Sequence, residues 1–288
     1  MLKTQIDGQT WLISQPGHAA VSGYLTAHWG NGEFTRPGHF GVASNPEALR
    51  AETIFAAAEH DNGWWEWEAD PQIDPADGLP LHLTDLSPEQ SFERWRLGVP
   101  RFREQHPYTA LLISLHAYRL YAFRVRRDFD PLWQHPLFGG VPSESPLGGP
   151  DLPLVEQFEA EQEREQEEII QQLNADPAWT AAVEPEILNS HARLLQLADA
   201  LSLVLCFGAR KPLRLAEIPK TSWEDRVTLE LVPQGRRVVC QPYPFDLDPL
   251  PVALWARILQ EGDKPRGDFQ TWWHGVPRQQ IEFEFCSR

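Results

Sequence analysis

Cysteine, long apolar runs and clustered positive charge are all scarce in this chain. Its three cysteines, Cys206, Cys240 and Cys286, are odd in number and lack the spacing of a disulfide framework. With no signal peptide legible at the start, they set the expectation of a reducing, cytoplasmic setting. The longest apolar stretch, Leu194 to Ala209, is interrupted by Gln196, Asp199 and Ser202 and is too short and polar for a membrane span. The formal net charge of -16 and the absence of a basic stripe argue against a nucleic-acid backbone as the main partner. The run Arg124-Val125-Arg126-Arg127 reads as a helix end instead. No internal repeat or heptad run is visible. The chain reads as a soluble globular protein of one large domain or two lobes, with a small-molecule substrate and an open oligomeric state.

What is present is a series of helix signals. Asp7-Gly8 marks a hairpin within residues 2–13, and Ser14 caps a helix over residues 16–29. Ser44-Asn45-Pro46-Glu47 and Ser87-Pro88-Glu89-Gln90 are capping boxes that open two more helices. Pro107 and Pro185 open a fourth and a fifth, ending near Arg127 and Gly208. Six prolines and four glycines between Asp128 and Pro153 make that segment a long loop, either a lid or simply mobile. Seven glutamates between Glu156 and Glu168 read as a solvated helix face. After residue 210 the pattern alternates. Runs at 226–232, 236–241, 252–259 and 280–285 predict a small antiparallel sheet with one wet face, which the N-terminal hairpin is a candidate to extend. The expected division is a helical core over 1–210 and a β appendage over 211–288.

Four polar side chains interrupt apolar helix stripes. Ile54, Ala57, Ala58 and Asp61 fall at i, i+3, i+4 and i+7, with His60 adjacent. His18 shares a face with Val21, Leu25 and Trp29, and His116 with Leu112, Leu120 and Phe123. Asp199 lies on the stripe Leu188, Ala192, Leu195, Leu203, Cys206. Each alone has an ordinary explanation as a cap or a satisfied core residue. Together they point to one shared cation, because buried polar groups must be paired. Imidazole and carboxylate without thiolate suit one or two ions of Mn, Fe, Co, Ni or Mg. His116 is read as a further ligand or as the acid that protonates a leaving group. Arg119, three residues on, is read as a phosphate contact or a surface arginine. His28 ranks below His116. His191 lies about 12 Å along the helix from Asp199, too far to share an ion, and reads as core, second to which come substrate-facing roles. Trp64, Trp65 and Trp67 are core or a substrate platform.

The order His18, His60-Asp61, Asp199, each on a helix, resembles the HD-domain superfamily of metal-dependent phosphohydrolases. The resemblance implies an α+β, mainly α fold: an HD-like helical core with His18, His60, Asp61 and Asp199 as metal ligands. Dinuclear branches place extra histidines between the doublet and the last aspartate, where His116 stands. The resemblance also implies hydrolysis of a small phosphorylated metabolite, although no basic residue flanks the doublet. A dinuclear-iron oxygenase built on that scaffold, as in inositol oxygenase, and a regulatory module with a structural metal are the alternatives. The chain also resembles an uncharacterised bacterial family of unknown function, through His18, Ala27-His28-Trp29-Gly30-Asn31, His60-Asp61-Asn62-Gly63-Trp64 and Ser114-Leu115-His116.

Overall fold

The chain opens with a hairpin, β1 (Leu2–Ile6) and β2 (Gln9–Ile13), turned by Asp7 and Gly8, both at positive φ. The computed structural model describes residues 1–126, 129, 130, 132–137, 139, 140, 151–260, 262, 263, 265 and 267–288. Helix α1 (Gln15–Ala27) follows, its first turn closed by Ser14 Oγ accepting from Gly17 N–H. In α2 (Pro46–Glu59) the cap is Asn45, whose side chain accepts from Ala48 N–H, and not the preceding serine. A 3₁₀ turn and the short α3 (Trp65–Ala69) lead to α4 (Pro88–Arg101), opened by the reciprocal Ser87–Gln90 capping box. Then come α5 (Pro107–Val125), the two-residue strands β3 (Gln134–His135) and β4 (Gly139–Gly140), α6 (Leu152–Asn174) and α7 (Pro185–Cys206). The lid expectation for the 128–153 segment falls largely on residues 141–150, which lie outside the described residues.

The last quarter adds β5 (Leu213–Pro219), β6 (Arg226–Gln234), β7 (Arg237–Gln241), β8 (Leu250–Gln260), α8 (Phe269–Gly275) and β9 (Arg278–Cys286). With the N-terminal hairpin they form one seven-stranded sheet in the order β1-β2-β8-β9-β7-β6-β5. All its pairs are antiparallel except β7 with β9. This corrects the expected helical HD-like core with a small antiparallel sheet. Helix makes up 47% and strand 21%, and the mixed sheet curls into a half-barrel. Two physical causes hid its size. A bulge between Leu215 and Ile218, with Glu217 at φ 61°, breaks the alternation of β5 while keeping both apolar residues inward. The parallel β7–β9 pairing joins segments separated by β8 and α8, which no local pattern reports.

The inner face of the sheet packs on α7 and α1, with Leu229, Leu231, Leu254 and Phe283 against Leu197, Leu201 and Leu25. A second apolar cluster joins α2, α4, α5 and α6 through Trp95, Leu111, Phe92 and Phe158, and α7 supplies Ala192 and Leu195 to it. Helix α7 is therefore the wall common to both clusters, buried at every position from Ser190 to Cys206. The three cysteines are free and buried. Among the described residues no helix is long and apolar enough to cross a membrane.

Candidate metal centre

Four helices bring the expected donors to one place. His18 comes from the first turns of α1, His60 and Asp61 from the end of α2, His116 from the middle of α5 and Asp199 from the buried stretch of α7. All five are buried. The doublet is fixed by main-chain contact. Asn62 Nδ2 donates to Glu59 O at 2.9 Å and to Gly98 O at 3.1 Å, fastening the turn to α4. A Cβ at Gly63 would lie 1.9 Å from Arg94 O, so only glycine permits this approach.

Hydrogen bonds to neighbours decide which atoms face inward. His60 Nδ1 donates to Ala57 O at 2.8 Å, which leaves Nε2 for the centre. Ser202 Oγ donates to Asp199 O at 2.8 Å, so it accepts from His18 Nδ1 at 2.9 Å. His18 Nε2 then faces Asp61 Oδ2 at 2.7 Å, an oxygen that also accepts from Gln15 Nε2 at 3.0 Å. The two oxygens of Asp199 divide the remaining rings. Oδ1 lies 3.7 Å from His18 Nδ1 and 3.6 Å from His60 Nε2. Oδ2 lies 3.7 Å from His116 Nε2 and 3.5 Å from His135 Nε2. One donor atom each from His18, His60 and Asp199 fall within 4.8 Å of one another.

The electrostatics follow from two carboxylates in a dry site. Burial alone would raise Asp199, but the facing His135 and His60 hold it well below the usual carboxylate range. Asp61 is likewise lowered against its burial by His60 and His18. His60 would be depressed by burial, yet Asp61 and Asp199 lift it to about 9. For His116 the same help from Asp199 and Asp61 falls short of burial. Burial, reinforced by the charge on His60, pushes it down to about 3, so it is neutral at neutral pH.

His135 carries no helical pattern in the sequence and was not expected here. Its Nδ1 accepts from Leu137 N–H at 3.2 Å, so Nε2 bears the ring proton and turns it toward Asp199. The segment that delivers it is clasped from α7. Arg193 Nη2 donates to Asp130 Oδ2 at 2.7 Å, and the guanidinium lies 4.8 Å from the centre of the Trp133 ring. Trp133 is 1% exposed. Gln15 and Ser202 were missed too, although each stands three residues from an expected donor.

A cavity of about 260 Å³ opens above these residues. Trp64, Leu83, Leu86, Trp95, Leu120 and Leu203 form apolar walls, with Thr84 and Ser91 among them. No described lining residue is lysine or arginine. Arg119 is elsewhere: it donates to Gln196 Oε1 at 3.2 Å and Asn189 Oδ1 at 3.0 Å and borders a different cavity. His28 pairs with Asp246 at the end of α1. His191 is interior, with Nε2 accepting from Gly38 N–H at 2.8 Å and Nδ1 bonded to Tyr108 Oη at 2.8 Å. Trp67 is core, Trp65 lies at the surface under Arg101, and Trp64 is both core and cavity wall.

The chain belongs to a family described as proteins of unknown function, DUF3891, whose family profile matches residues 1–261. Neither the curated proteins nor the solved structures offer a match.

Proposed function

We propose that this protein is a metal-dependent hydrolase acting on a small phosphorylated metabolite. The observation that carries the reading is the spacing around Asp199, whose oxygens stand 3.6 Å from His60 Nε2 and 3.7 Å from His116 Nε2. Those gaps are long for hydrogen bonds. They come within a few tenths of an ångström of donors sharing a cation, since ligand atoms about 2.1 Å from one ion stand roughly 3–3.5 Å apart. The buried His60 Nε2 has no hydrogen-bond partner, as a ligand nitrogen facing an ion position should. His18, His60, Asp61 and Asp199 are the residues that would hold one divalent ion, with His116 a further ligand to it or to a second. The neutrality of His116 supports the ligand role over that of a resident acid. His135, with its Nε2–H turned inward, is placed to donate a hydrogen bond at the centre.

A divalent cation supplies Lewis acidity and acidifies water near neutral pH. The protein's own part is to orient the donors, exclude bulk water with apolar walls and aim the His135 Nε2–H as a hydrogen-bond donor. With no basic side chain described in the cavity, a phosphate would be met by cations and the rest of the substrate by Trp64, Trp95 and the leucines. The likeness to the HD superfamily is kept here only as a likeness of donor order.

Elemental analysis of protein purified without chelator tests the metal, and a phosphate-release screen of phosphorylated metabolites tests the reaction. One or two equivalents of a divalent transition metal and turnover abolished by Asp61→Asn are expected. No metal on purification or reconstitution would overturn the proposal. Bound iron with oxygen consumption and no phosphate release would assign the oxygenase alternative instead.

A further inference from the structure

A second cavity, about 280 Å³, lies beside α5, α7 and the β5–β6 edge and shares no lining residue with the metal centre. Its charged lining consists of Arg119, Arg193 and Arg226 against Asp130 and Glu217, with Trp223 as a flat wall. Three guanidinium groups face two carboxylates. Arg226 Nη1 pairs with Glu217 at 2.7 Å, and Arg193 spends Nη2 on Asp130 at 2.7 Å. Among the described residues, Arg119 hydrogen-bonds only the neutral amide oxygens of Gln196 and Asn189. Arg193, 5% exposed, keeps Nε and Nη1 without hydrogen-bond partners.

This is a local positive excess on a protein whose net charge is -16. Burial and the neighbouring Arg193 depress Arg119 to about 10, and burial lowers Arg193 as well. A guanidinium cannot relieve such crowding by giving up its proton near neutral pH. Its fork matches the oxygens of a carboxylate or a phosphate, and an anion seated here would use the N–H groups of Arg119 and Arg226 beyond those spent on Gln196, Asn189 and Glu217.

We propose that the Arg119–Arg193–Arg226 cavity is a binding site for a small organic oxyanion, a carboxylate or phosphate group carried on a planar or apolar body that rests against Trp223. The proposal is independent of whether the other cavity holds a metal.

Isothermal titration of the whole protein at low ionic strength, with inorganic phosphate in one arm and benzoate in the other, tests it. Arg119→Gln and Arg226→Gln should each weaken binding by roughly tenfold or more. Asp130→Asn should strengthen it severalfold, because a carboxylate that competes for Arg193 is removed; misfolding cannot mimic that gain. Asp61→Asn, which dismantles the metal centre, should leave the titration unchanged. The arm that responds names the anion. Binding of neither anion by the wild-type protein would overturn the proposal. So would binding that disappears in Asp61→Asn while surviving in the Arg226→Gln variant.

Discussion

The two cavities flank the same helix and solve opposite charge problems. Around Asp199, buried carboxylates are surrounded by imidazoles, which titrate. His60 takes a proton and His116 refuses one, so the cluster can settle its own charge. Six residues earlier on α7, Arg193 shares a cavity with two other guanidinium groups that keep their charge at any ordinary pH. The first region can therefore settle its charge by titration, and the second cannot. The difference lies in the ionisation range of the side chains, because both regions are walled by α7.

The sharpest way to break this contrast is Asp199→Asn. Removing the charge that four imidazoles face should abolish metal retention, read by elemental analysis; full retention would end the role of Asp199 as the hub. Next in size, His135→Ala should keep the metal but cut turnover by roughly 10–100-fold, the loss of one hydrogen bond to a charged group, while His116→Ala should lower metal content. Reversal of those two results would exchange the roles. Asp130→Ala strands the buried Arg193 and should cost about 3–5 kcal/mol in urea unfolding. The smallest effect concerns pH. His191 is pushed down to about 3 by burial, so below about pH 6.5 the unfolded chain takes a proton that the folded one refuses. Stability should fall with falling pH by about 1.4 kcal/mol per pH unit from this group. His191→Gln should reduce the difference in urea midpoints between pH 6.5 and 5, leaving the share of His116, in a window above the range where the lowered Asp61 and Asp199 contribute.

Much of the centre was legible because helices repeat. Ser14, Ser87, Gln90 and the prolines at 46, 88, 107 and 185 stand at the observed helix starts, and the stripes put His18, Asp61, His116 and Asp199 on inward faces. Three residues of helix is 300° of rotation and about 4.5 Å of rise. A long side chain can use that offset to face another cavity, as Arg119 does. His135 follows Trp133 by two in a proline-rich segment without periodicity, so its place depends on tertiary contacts such as those of Asp130 and Trp133 with Arg193. The sheet was underestimated for the same reason: bulged and parallel pairings are settled at long range.

The glycine contact behind the doublet has a mechanical consequence. Gly63 and Gly98 let two backbones touch, so Asp61 is referenced to the axis of α4 with no side chain in between to absorb strain. A methyl group at either position would act as a shim, tilting α4 against α2 and carrying Asp61 away from His18 by a comparable distance. Substitutions on the outer face of α4 that merely bend the helix would be transmitted to the same carboxylate. Mutational sensitivity in this protein should therefore extend along α4, far beyond the side chains that any ion could touch.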